Sequence, residues 1–80
     1  MASVTFGDLL RDEIVKLLPD AEVVSTHEVA KCSMLTTVRV GRRQVKNSLT
    51  HLEILRRGDR RNGWEELAEE AARYFAALFR

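Results

Sequence analysis

Apolar side chains recur at helical spacing along the start of the chain. Phe6, Leu10, Ile14, Leu17 and Leu18 share one face, Leu9 flanks it, and Asp8, Asp12 and Lys16 lie opposite. Thr5 and Asp8 stand in the S/T-x-x-D/E arrangement that satisfies the free amides of a helix start. Pro19 ends the run, because the residue before a proline avoids the helical region. The spacing therefore predicts a core-facing amphipathic helix between Thr5 and Pro19.

The pattern then changes to one of β-branched residues and alternation. "AEVVSTHEV" (21–29) is short of helix formers, and "MLTTVRV" (34–40) alternates Met34, Thr36, Val38 and Val40 against Leu35, Thr37 and Arg39. "SLTHLEIL" (48–55) sets Leu52 and Ile54 against Leu49, His51, Glu53 and Leu55, so it reads as a third strand. "GRRQVKN" (41–47) reads as the connecting loop, with Val45 hinting that a strand enters it. The link near "AKCS" carries no strong turn signal.

The last segment returns to helical spacing. Asn62 is placed to cap it, and Glu65 follows at the third position, facing the positive end of the helix dipole. At 100° per residue, Trp64, Leu67, Ala68, Ala71, Ala72, Tyr74, Phe75, Leu78 and Phe79 form an apolar arc. Glu65, Glu66, Glu69, Glu70, Arg73 and Arg80 fall opposite, with Ala76 and Ala77 among them. The predicted order is α-β-β-β-α. It implies one α+β domain over residues 1–80, a three-stranded antiparallel sheet with two helices packed on one face.

Composition limits what such a domain can be. Eighty residues leave room for one core, and a domain this size buries only ~60% of its unfolded surface, which favours oligomers. Cys32 is the single cysteine, so no internal disulfide or cysteine-rich zinc site can form. The N-terminal stretch mixes acidic with apolar residues, unlike a signal peptide or a membrane span. The expectation is a soluble cytoplasmic protein.

Charge alters the picture most. The net +1 conceals a segregation. Residues 1–30 carry two basic and six acidic side chains, a balance of −4. Residues 31–61 carry nine basic and two acidic, a balance of +7. Residues 62–80 carry two basic and four acidic, a balance of −2. "RRGDRRNG" (56–63) joins arginine forks to a glycine-containing helix start, and "GRRQVK" (41–46) offers a second basic loop. Arg42, Arg43, Lys46, Arg56, Arg57, Arg60 and Arg61 are thus candidate phosphate contacts of a nucleic-acid clamp that does not read sequence, whether on RNA or DNA.

Against that stand the near-neutral total, Glu65 and Glu66 where a phosphate would approach, and strands without aromatics to stack bases. The bland alternative is a solvated arginine surface neutralised by its own glutamates. In element order the chain is similar to the double-stranded RNA-binding domain. That family needs lysines where this sequence reads "GWEELAEE", so its function is not carried over.

A second reading is protein assembly, as a homo-oligomer or with a partner. The arginines would meet acidic protein surface, and Tyr74 and Phe79, at the margins of the apolar arc, would be interface residues. A basic partner would instead meet Glu65, Glu66, Glu69 and Glu70. Catalytic signals are weak. "HEVAK" lacks the second histidine of H-E-x-x-H, and Cys32 has no paired histidine at a known spacing. His27 and His51 read as exposed strand histidines with no special role; the weaker alternative has them facing each other across the sheet, with Glu28 or Glu53 nearby, as a metal-binding or acid–base pair. "RGD" at Arg57–Asp59 reads as chance. The expectation is a non-enzymatic binding module without cofactor, metal, membrane or small-molecule substrate. Nucleic acid is the first reading and protein assembly the alternative.

Overall fold

The computed structural model describes residues 5–80. Helix α1 (Phe6–Leu17) begins at the expected capping box. The Thr5 N–H donates to Asp8 Oδ2 and the Asp8 N–H to Thr5 Oγ1, each at 3.1 Å. Phe6, Leu10 and Ile14 are buried, whereas Leu17 is exposed. Leu17, the last helical residue, stays outside the core. Leu18 leaves helical geometry, bonds its N–H to the Ile14 carbonyl at 2.8 Å, and packs inward in its place.

Strands β1 (Glu22–Glu28) and β2 (Ser33–Val40) form an antiparallel pair. The weakly signalled link between them is a single 3-10 turn, Val29–Lys31, closed by Cys32 in the left-handed region at φ 49°. On β2, Met34, Thr36 and Val38 are buried and share one face with Val23, Ser25 and His27 of β1. Thr36 is polar at a core position, and its hydroxyl is satisfied by Ser25 at 3.0 Å.

The third strand differs from the sequence expectation. β3 spans Arg43–Thr50, and residues 51–55 continue into helix α2 (His51–Gly58). Two local features explain the shift. Gly41 takes φ +62°, as a two-residue hairpin demands, so Val40 pairs directly with Arg43 and "RQVKN" (43–47) joins the ladder. Thr50 then caps α2, its Oγ1 accepting from the Glu53 N–H at 3.2 Å. The α+β class and the three-stranded antiparallel sheet, in order β1-β2-β3, stand. The element order gains a helix between the sheet and the last helix, which also parts it from the double-stranded RNA-binding order.

Helix α3 (Gly63–Leu78) buries Leu67, Ala68, Ala72, Phe75 and Ala76. Its core-facing side is rotated from the expected arc: Ala76 is buried, while Tyr74 and Leu78 are exposed. The close companion of α3 is α1, and small residues on that side let the two backbones approach. Asn62 stands at the N-cap position, but in the left-handed region and without a side-chain cap bond. One core joins both helices to β2 and to Ile54 of α2.

The turn between α2 and α3 is closed backbone against backbone. A Cβ on Gly63 would stand 1.8 Å from the Arg57 carbonyl oxygen, and one on Gly58 would meet the Trp64 indole nitrogen at 2.7 Å. The indole donates to the Ile54 carbonyl at 2.8 Å. Gly63→Ala is expected to lower stability by about 3 kcal/mol, at the upper end for overpacking, because backbone must move. A urea unfolding midpoint checks this.

The α1 cap gives a pH signature. The Thr5 backbone N–H first, and then its hydroxyl, hold the Asp8 carboxyl below its ordinary value of 3.8. A carboxyl lowered by folding adds stability above its unfolded value and loses it as pH falls through the folded one. Acid unfolding followed by circular dichroism from about pH 5 to about pH 2 should therefore be less steep in Asp8→Asn than in the parent.

Candidate functional site

The seven basic candidates divide according to what they already hold. Arg43 opens β3, and its guanidinium reaches the end of α3. Nη1 donates to the Phe79 carbonyl at 2.9 Å and Nη2 to the Leu78 carbonyl at 2.8 Å. The same group lies 5.2 Å from the centre of the Phe79 ring. Arg43 thus caps α3 and neutralises the negative end of its dipole.

Arg57 is the most enclosed of the charged groups in the α2–α3 region. It lies 2.9 Å from Glu70, 3.6 Å from Glu53 and 3.9 Å from Glu66, and its side chain is only 22% exposed. The abrupt change from arginines to glutamates in the sequence is therefore partly an internal balance, centred on this one side chain. Arg39, outside the candidate set, is likewise paired with Glu22 at 2.9 Å.

Arg42, Lys46, Arg56, Arg60 and Arg61 make no ion pair among the described residues. Arg42 lies in the β2–β3 turn, near the end of α3 that Arg43 caps. Arg56, Arg60 and Arg61 gather at the opposite end, where α2 turns into α3. Sixteen residues of α3 separate the two groups, a length of ~24 Å. Lys46 stands between them on edge strand β3, on the sheet face turned away from the core. The two basic loops stand apart, joined along the chain by β3 and α2.

Helix α2 also carries apolar surface. Ile54 turns into the core, which leaves Leu52 and Leu55 one turn apart on the outer side of α2, 64% and 66% exposed. Read as a strand, 48–55 hid this feature. Thr50 and Glu53, at the spacing of a helix cap, were the signal that could have revealed it. Of the interface candidates on α3, Tyr74 is half exposed and touches Phe75 edge-on. Phe79 packs against the core beneath Arg43.

The histidines do meet, but not across strands. His27 ends the inner face of β1 and His51 begins α2, with Nδ1 of His27 2.9 Å from Nε2 of His51. A cavity of about 330 Å³ beside them is lined by Ile54 and Leu55. A larger groove of about 460 Å³ runs between α1 and β1. Most of its polar groups are already bonded: Thr5 to Asp8, and Ser25 to Thr36.

No helix among the described residues is long and apolar enough to cross a membrane. Comparison of the chain with protein-family models, curated proteins and solved structures finds no match.

The division of roles among the arginines can be measured. Arg43→Ala is expected to cost about 1 kcal/mol, its charged hydrogen bonds being discounted for exposure. Arg42→Ala, one residue earlier, should change stability by less than about 0.5 kcal/mol. Thermal or urea unfolding of the two variants side by side tests the contrast.

Proposed function

We propose that this protein is a non-enzymatic binding module whose β3–α2 edge docks an acidic protein surface. The observation that carries this reading is the outer side of α2. Leu52 and Leu55 project there into solvent, with unpaired Arg56 on the same helix and Arg60 and Arg61 just beyond it. Two large, mostly exposed aliphatics are a centre that a partner desolvates, and arginines around them supply a charged rim. Such a rim selects carboxylate-bearing surface and speeds encounter with it. The fitting partner presents an apolar strip flanked by Asp or Glu. A second copy meets part of that description, since Glu65 and Glu69 are exposed on α3 and Tyr74 is half exposed near its other end.

Nucleic acid is the second reading, and one observation favours it. Five cations of the stretch 42–61 make no ion pair among the described residues: Arg42 stands ~24 Å from the cluster of Arg56, Arg60 and Arg61, with Lys46 between them. They would touch phosphates at two points without reading bases. Leu52 and Leu55, on the edge between Lys46 and the distal arginines, have no use in that arrangement. Protein docking accounts for both the leucines and the charges, and so comes first.

Chemical-shift mapping separates the two. The probes are a synthetic amphipathic helix with glutamates around a leucine stripe, and a short nucleic-acid duplex. The peptide is expected to shift residues 51–61, and Leu55→Asp should weaken it about 30-fold, the scale of an interface hot spot. Saturable shifts with the duplex at Arg42 and Lys46, falling steeply with salt, and none with the peptide, would replace docking by the phosphate reading.

A further inference from the structure

We infer that His27 and His51 form a binding site for a divalent transition-metal ion, zinc or nickel, which clamps α2 to the edge of the sheet. The two rings approach through single nitrogens, Nδ1 of His27 and Nε2 of His51, 2.9 Å apart. In the metal-free pair one nitrogen carries a proton and the other accepts it. A metal ion takes the place of that shared proton, which moves through water to the outer nitrogen of the same neutral imidazole, and the ion receives the lone pairs of both inner nitrogens. Zinc–imidazole bonds of 2.0–2.1 Å at a tetrahedral angle set the nitrogens about 3.4 Å apart. The rings now meet nearly head-on, with centroids 5.0 Å apart, so they must separate by about 0.5 Å and each must tilt by about 35° for both lone pairs to converge on the ion.

Both ligands are held before any ion arrives. His27 is part of the β1–β2 ladder, opposite Met34, whose side chain is buried. His51 is fixed at the first position of α2, its backbone N–H donating to the Cys32 carbonyl at 2.8 Å, while Thr50 caps the helix beside it. The entropy of bringing the two imidazoles together is thus met by the fold itself, which is the condition for a useful site from only two protein ligands. Ile54 and Leu55 wall the adjoining cavity, and its volume of about 330 Å³ leaves room for the waters that complete the coordination.

The donor set selects the class of ion. Neutral imidazole suits zinc, nickel and copper, whereas magnesium and calcium need oxygen ligands. Among the described residues no third histidine, cysteine or carboxylate joins the pair into a larger ligand group. The outer nitrogens, Nε2 of His27 and Nδ1 of His51, make no hydrogen bond with the described residues. The coordination sphere stays open on one side, where exchangeable water or a donor atom from a bound partner completes it.

The test is calorimetric titration of the full chain with zinc and with nickel, alongside thermal unfolding in each ion. One ion per chain is expected. At a free concentration about 100 times Kd, the folding equilibrium constant should rise about 100-fold, seen as a higher Tm. His27→Ala and His51→Ala should each weaken binding at least ~10-fold and so cut the gain in the folding constant at the same ion concentration from about 100-fold to about 11-fold or less, with the fold verified by circular dichroism. Cys32→Ser should bind like the parent, and magnesium should not bind. Absence of binding in the parent would overturn the site. So would binding that survives in both histidine variants, or that disappears in Cys32→Ser while the histidine variants keep it.

Discussion

The packing of α2 against the start of α3 determines where every unpaired distal cation stands. Two glycines make it possible, because Gly63 sits against the Arg57 carbonyl and Gly58 against the Trp64 indole. The indole then donates to the Ile54 carbonyl, so a backbone acceptor near the end of α2 is satisfied by the first turn of α3. The Trp64 ring also meets Phe6 edge-on, with centroids 6.0 Å apart, which ties the corner to α1. Remove this corner and Ile54 has no core to enter. Leu52, Leu55 and Arg56 would then have no defined direction.

The parts of the fold that were legible in the sequence are those where a long period repeats. α1 and α3 show 3.6-residue spacing over three or more turns, and Thr5, Asp8 and Pro19 mark the ends of α1. The stretch 41–55 was misread because two short elements meet there with no breaker between them. A strand of eight residues ends at Thr50 and a helix of eight begins at His51. Apolar positions at 49, 52, 54 and 55 satisfy a strand and a helix about equally over so short a window. Only the cap at Thr50 distinguishes them. The rotation of α3 was hidden for another reason: alanine gives little hydropathy signal, and Ala76 is buried by the closeness of α1.

The candidate site was half legible. The segregation of charge was visible as composition, and the basic residues 42–61 fall on β3, α2 and the turns that flank them. Which cations are free was not visible, because that depends on partners far along the chain. Arg43 is occupied by carbonyls 35 and 36 positions away, and Arg57 by Glu70, 13 positions away. An arginine count therefore overstates the external charge. Arg43 and Arg57 bond within the chain, one closing a helix and the other joining two.

Helix α2 has a further consequence. At eight residues it lies below the ~12–15 needed for a helix to persist alone in water, so its stability is lent by Ile54, Trp64 and Arg57. The segment bearing Leu52, Leu55 and Arg56 is a unit that opens locally at less cost than the whole domain. Any ligand of this face meets it only during the fraction of time that the corner is closed, and apparent affinity falls in proportion to that fraction. On the proposed docking reading, a substitution at Trp64, away from Leu52 and Leu55, would thus act as a gain control on recognition, scaling affinity for every partner by one common factor.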